Sequence, residues 1–322
     1  MQHIGEHDGH RQAPNLMQQA ECVFELSRKT NCGNYEDVEM LPLVRWAAGQ
    51  RPGVFVELGA YDGCEGSKTW LLERCFGWTG ILIEAQPQLF ERLRNSSRIA
   101  HKVWAAVCQR GKTVHMPVIE EGTIPSAFAA LEYTTQSYLK LWQTALPMTT
   151  KAVERNSTSR ITIADMRTVE VPCRPMTDIL EEAGHTEADF ISIDVQGAEE
   201  VVLSTSNLGS VHGRPTSFKV VLVEAERTDR AKNERVRQQL TRAGLRQIPH
   251  PYQIQHTPGG ASFNDLFVRP ELSAPRTWGH SLYPRGGAWG SPWYPMRNHT
   301  REFDVRKRFF EGVEVMIKSA RV

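Results

Sequence analysis

Short continuous apolar runs alternate with amphipathic stretches along most of this chain. Val54 to Leu58, Gly80 to Glu84, Phe190 to Asp194 and Lys219 to Glu224 each read as a strand covered on both faces, because polar positions do not alternate with apolar ones inside them. Lys102 to Cys108 reads as a further strand with Thr113 to Val118 as its hairpin partner, and Ser262 to Arg269 as a late strand. Between these runs, apolar residues recur at helical spacing over Tyr35 to Ala48, Lys68 to Phe76, Pro87 to Arg94, Met176 to Ala183, Ala198 to Ser204 and Arg230 to Ala243. Pro87 suits a first helical turn, and Gly244 suits the residue after a last one. The alternation predicts an α/β fold with a mostly parallel twisted sheet and helices on both faces. Ligands of such sheets bind outside the carboxyl ends of the strands. Three of the strands end in an acid, Glu84, Asp194 and Glu224, so these carboxylates are expected to converge on one crevice.

The pattern also divides the chain. Residues 1–34 read as a loosely ordered N-terminal extension, with a short packed helix over Cys22 to Leu26. Residues 35–270 form the main domain, and 119–165 break its rhythm as an insertion placed to act as a lid. Residues 271–322 carry an aromatic loop with Trp278, Tyr283, Trp289, Trp293 and Tyr294, then a closing helix over Phe303 to Ile317.

Composition narrows the class. The 322 residues are 40% hydrophobic, enough for a real core. Lys plus Arg is 38 and Asp plus Glu 37, for a net charge of +1, which argues against nucleic acid as a partner. Six cysteines at 22, 32, 64, 75, 108 and 173 form no Cys-x-x-Cys pair. They read as scattered thiols, with Cys64 a small buried filler, in a reduced cytoplasmic compartment. Met1 to Pro14 has no apolar segment of signal-peptide length, and no window has the roughly eighteen consecutive apolar residues of a membrane span. Oligomeric state is open.

The chemistry concentrates in Phe55-Val56-Glu57-Leu58-Gly59-Ala60-Tyr61-Asp62-Gly63, a buried strand running into a glycine turn. Glu57 and Asp62 would repel a pyrophosphate, and the Gly-x-Gly-x-x-Gly order is absent, which disfavours a dinucleotide-dependent oxidoreductase. A cofactor with cationic groups is favoured instead. Glu84 lies 21 residues beyond Gly63 at a strand tip, where an acid can accept hydrogen bonds from both hydroxyls of a ribose. Asp194 is the first candidate base, for proton removal from an acceptor. Glu199 follows in the first turn of the next helix, where a helix-dipole or capping role is equally open, and Glu224 and Glu226 are further candidates. No spacing demands a metal. His250 and His256 read as solvated loop residues.

Phe55 to Leu93 and Asp189 to Leu203 resemble the FkbM family of S-adenosylmethionine-dependent methyltransferases, most specifically in Asp194-Val195-Gln196-Gly197-Ala198-Glu199. Val169 to Leu180, Lys219 to Glu224 and Asn264 to Arg269 extend the resemblance to roughly 50–270, with 119–165 poorly matched. It implies a class I methyltransferase fold, S-adenosyl-L-methionine as cofactor, and O-methylation of a hydroxyl on a carbohydrate or other small-molecule acceptor. It further implies Glu57, Gly59, Ala60, Asp62 and Gly63 at the methionine end of the cofactor, Glu84 on the ribose, and Ala85, Ala106 and Val107 near the adenine. Tyr61 departs from a small or polar turn residue, and Lys68 stands where related eukaryotic sequences often have Asn, which puts a charge near the site of methyl transfer. A non-catalytic binding protein on the same fold is the competing reading.

Overall fold

Strand β1 (Val54–Leu58) lies inside a seven-stranded sheet, bonded in parallel to β2 (Thr79–Glu84) on one side and to β7 (Glu187–Ile193) on the other. With β3 (His101–Trp104), β8 (Ser217–Glu224), β9 (Arg246–Ile248) and β10 (Asn264–Val268), the order is β3-β2-β1-β7-β8-β10-β9. Only β10 runs antiparallel to its neighbours. The chain winds outward from β1 to β3, then returns to place β7 beside β1. The carboxyl ends of β1 and β7 therefore flank the point where winding reverses, where open α/β sheets bind ligands. The computed structural model describes residues 16–29, 32, 35–118, 129–134, 167–208, 217–225, 229–248 and 264–272.

Side chains along β1 alternate between the two faces. Phe55 packs with Leu82, Phe190 and Val220 beneath α1 (Leu16–Lys29), α2 (Tyr35–Ala47), α3 (Trp70–Phe76) and α4 (Pro87–Asn95). Val56 and Leu58 pack with Ile81, Ile83 and Ile191 beneath α5 (Met176–Glu182), α6 (Glu199–Ser204) and α7 (Arg230–Arg242). Both faces are dry, as the continuous apolar runs predict. Pro87 sits at the start of α4, whose N-cap Gln86 accepts the Gln88 amide.

A second sheet covers the carboxyl edge of the first. It has β4 (Ala106–Val107), β5 (Thr113–Pro117) and β6 (Thr168–Arg174) in the order β4-β6-β5. The run expected as one strand over Lys102 to Cys108 thus divides. β2 ends at Glu84, so Trp104 is the last residue with a main-sheet partner, and Ala106 and Val107 pair with Cys173 and Arg174 instead. Strand β5 pairs with β6 rather than with Lys102 to Cys108.

The cysteines correct the thiol reading. Cys22–Cys75, Cys32–Cys64 and Cys108–Cys173 are disulfides, with Cα atoms 5.6, 4.2 and 4.9 Å apart, and no cysteine is free. Partners 53, 32 and 65 residues apart meet only through the fold, so local spacing carried no signal of pairing. Cys64 is a crosslink rather than a filler. The first of these bonds also ties α1 to α3, so residues 16–29 are a packed helix rather than a loosely ordered extension, with Val23 in the core. Thiol titration of denatured, unreduced protein is expected to find no reactive thiol, and six after reduction. Six before reduction would refute the pairing.

Among the described residues no helix is long and apolar enough to cross a membrane. Most of the 119–165 insertion, the aromatic loop, the closing helix, Glu226, His250 and His256 lie outside the described residues.

Candidate active site

The ends of β1 and β7 open onto a cavity of about 370 Å³. Leu58 and Gly59 form its floor with Asp194, Val195 and Gln196; Glu84 and Ala85 come from the end of β2. Ala106, Val107, Cys108 and Met116 of the small sheet make an apolar wall, and Ala129, Ala130 and Tyr133 close it. That last segment is held to β5 by the Leu131 amide donating to His115 O (2.9 Å) and by the Glu132 carboxylate on the His115 amide and ring. Gly59 has φ +74°, and a Cβ there would fall 1.9 Å from the Asp194 carbonyl oxygen. No other residue lets the two strand ends approach this closely.

Glu84 is buried at the tip of β2. It accepts the Tyr61 amide (2.8 Å) and the Gln86 amide (2.8 Å). Tyr61 is held in the left-handed region at φ 54°, and its bond to Glu84 fixes the turn against the carboxylate. Burial pushes the Glu84 carboxyl up to about 7, opposed by the backbone amides of Gln86, Tyr61 and Ala85 and reinforced by Asp194. Burial, with Glu65 next, likewise raises the Tyr61 phenol to about 12.

Glu57 does not face this cavity. Alternation along β1 turns it to the Phe55 side, under α3. There it accepts the Lys68 amide (2.6 Å), Ser67 Oγ (2.9 Å) and Thr69 Oγ1 (2.5 Å). Buried Arg98 completes the cluster. It donates to Gly63 O, Ser67 Oγ and Thr69 Oγ1, and lies 3.8 Å from Glu57. Its Nε is 3.1 Å from Glu73 Oε2 but off the N–H axis, an ion contact rather than a hydrogen bond. Asp62 is occupied locally, its Oδ1 accepting the Cys64 and Glu65 amides at 2.8 Å. Gly63 packs against Leu93 and Arg98. Glu57, Ala60, Asp62 and Gly63 therefore shape the turn from behind and do not line the cavity. Of the five residues expected at the methionine end, Gly59 alone lines it.

A profile of the Methyltransferase FkbM domain matches residues 57–246, more than half of the chain. The chain belongs to the FkbM methyltransferase family. The sheet order, with one antiparallel strand next to the edge, is the class I methyltransferase fold. The chain is similar to a precorrin-6y C5,15-methyltransferase from Geobacter metallireducens GS-15, at 12% identity over 70% of this chain and 88% of the other, with a TM-score of 0.30. It is also similar to cofactor-bound Rv0187 from MTB, at 17% identity over 78% and 86%, with a TM-score of 0.32. No curated protein matches it.

Within this FkbM domain the three candidate bases that lie among the described residues, Asp194, Glu199 and Glu224, separate. Asp194 lines the cavity. Glu199 is buried away from it, paired with Lys232 Nζ at 2.6 Å and accepting the Gly197 amide at 3.0 Å, so it locks α6 to α7 and holds the loop after β7. That corrects its catalytic reading: an oxygen committed to a buried ammonium takes no proton from an acceptor. Glu224 stands off the cavity and touches it through Gln196, whose Nε2 donates to Asp194 Oδ1 at 2.8 Å and reaches Glu224 at 3.3 Å. Tyr61, Glu65, Lys68, Met116, Tyr133 and Gln196 line the FkbM cavity without having been expected there as ligand contacts. Gln196 could have been found, since it lies inside the Asp194–Glu199 signature.

Proposed function

We propose that this FkbM-family protein is an S-adenosylmethionine-dependent methyltransferase acting on a hydroxyl oxygen of a carbohydrate or other small-molecule acceptor. The observation that carries the reading is Glu84, a buried carboxylate at the end of β2 that keeps acceptor capacity beside an apolar wall. Two amides occupy part of that capacity, and the remaining lone pairs suit the two hydroxyls of an adenosine ribose. Ala85, Ala106, Val107 and Met116 would then flank the adenine, and Gly59 would allow the backbone to approach the sulfur. Bound there, the cofactor supplies an electrophilic methyl carbon. Asp194 would take the proton from the acceptor hydroxyl, with Gln196 fixing the orientation of its carboxylate.

Ribose hydroxyls donate to the ionised form of Glu84, whereas below pH 7 the free protein favours the neutral one. Binding should therefore release a proton below pH 7, and affinity should fall as pH falls. Calorimetry with S-adenosylhomocysteine is expected to show about tenfold weaker binding at pH 6 than at pH 8. Glu84→Gln should bind more weakly and lose most of that slope. A wild-type affinity that is flat with pH, or an unchanged Gln variant, would sink the ribose assignment.

Three disulfides also support an oxidising compartment as the working environment, in place of the cytoplasmic one expected from dispersed cysteines.

A further inference from the structure

We propose that the buried Glu199–Lys232 pair positions Asp194 for catalysis, acting through the backbone of Gln196, and so couples the helix after β8 to the loop after β7. This rests on the reading of Asp194 as the base that takes the acceptor proton. Lys232 Nζ meets Glu199 Oε2 at 2.6 Å, and the two side chains are 3% and 0% exposed. Neither residue lines the cavity. Two charges withdrawn from water this completely add little net stability, because apolar side chains of similar volume often replace such a pair without loss. Stability is thus a weak account of the pair. Its geometry gives a more specific one.

Glu199 is the first residue of α6. Its Oε2 takes the Lys232 ammonium, and its Oε1 turns back to accept the Gly197 amide at 3.0 Å. That amide belongs to the peptide leaving Gln196, so pinning it fixes the ψ angle of Gln196. Gln196 sits at φ 54°, in the left-handed region that a residue bearing a side chain holds only with support from its surroundings. In this conformation its Nε2 donates to Asp194 Oδ1 at 2.8 Å and reaches Glu224 at 3.3 Å. Gln196 is therefore held twice, at its backbone by Glu199 and at its side chain by the acids ending β7 and β8. Lys232 is placed in turn by the start of α7, where the N-cap Asp229 accepts its amide at 2.8 Å. One line of contacts runs from that cap through Lys232, Glu199 and Gln196 to the Asp194 carboxylate.

The test compares two double variants in turnover and in calorimetry with S-adenosylhomocysteine. Glu199→Leu with Lys232→Met removes both charges together and leaves the Gly197 amide without its acceptor. Its kcat is expected to fall about tenfold, while S-adenosylhomocysteine binds within about threefold of wild type, which also reports an intact fold. Glu199→Gln with Lys232→Gln restores an oxygen for that amide in a neutral pair and should recover most of the turnover. Glu199→Asp keeps both charges but shortens the reach to Gly197; it should lose about threefold in kcat and serves if the apolar pair does not fold. In a Gln196→Ala background either loss should shrink to less than about twofold, because the route runs through Gln196. Undiminished turnover in the apolar pair, an equal loss of S-adenosylhomocysteine affinity, or a full loss persisting in the Gln196→Ala background would overturn the positioning role and leave the methyltransferase reading in place. Wild-type turnover in Asp194→Asn, measured alongside, would remove the base reading and this one with it.

Discussion

Replacing Arg98 with Met is expected to cost on the order of 3–5 kcal/mol of folding stability. The side chain is fully buried between two buried carboxylates, Glu57 and Glu73. It also satisfies Gly63 O and Thr69 Oγ1 at 2.8 Å each. Methionine has similar volume and fills the space against Phe55 and Trp70, whose rings the guanidinium faces at 5.7 and 5.8 Å. The loss therefore reports charge and hydrogen bonding rather than a cavity. The two acids retain part of their support, Glu57 from Ser67, Lys68 and Thr69, and Glu73 from the Ile99 and Ala100 amides at 3.1 and 3.2 Å. They lose the one cation that, among the described residues, pairs with both. Urea denaturation at pH 7 measures the difference. Arg94→Met gives the contrast, because its pair with Glu91 is exposed on both sides and is worth under about 1 kcal/mol. An Arg98→Met variant within about 1 kcal/mol of wild type would show that the cluster is not what holds the glycine turn.

That cluster also explains what could and could not be read in advance. The strands, their parallel order and the acids Glu84 and Asp194 were legible, because a strand buried on both faces is a continuous apolar run and its first polar residue marks the carboxyl end. The same continuity concealed Glu57. An acid inside such a run gives no sign of which face it takes. Its face follows from side-chain alternation, which sets Glu57 with Phe55 towards α3. Asp62 is an aspartate accepting the backbone amides two and three residues on, a local turn role that an acid beside a glycine fills whether or not a cationic cofactor binds.

Other features depend on contacts between distant segments. Glu199 meets Lys232 across 33 residues, and each cysteine meets its partner across at least 32. No window of sequence contains both members of these pairs. The small sheet that walls the cavity belongs to the same class, because β5 finds its partner β6 only after the intervening 118–167 region. Recognition of the FkbM segments was more informative than any one residue type here. It covered both halves of the switch point, the glycine turn and the end of β7, which are the two strand ends that border the cavity.

Asp194→Asn is expected to slow methyl transfer on the order of 10²- to 10⁴-fold while S-adenosylhomocysteine binds within about threefold of wild type. The missing side chain of Gly59 lets the Asp194 backbone close on β1, and Asp194 lines the cavity there. Gln196 then donates to Oδ1 at 2.8 Å, itself braced by Glu224 at 3.3 Å. Among the described residues Oδ2 accepts no hydrogen bond, so it is the oxygen turned to an incoming hydroxyl. Asparagine keeps the shape and can still accept from Gln196, but its amide takes no proton. Turnover is measured as S-adenosylhomocysteine formed with whichever member of a sugar panel is methylated. Gln196→Ala should produce a smaller fall, because it frees the carboxylate to rotate without removing it. If Asp194→Asn instead weakens S-adenosylhomocysteine as much as it slows turnover, Asp194 holds the cofactor and the base must be sought elsewhere. If turnover stays within threefold of wild type, the acceptor loses its proton without help from this carboxylate.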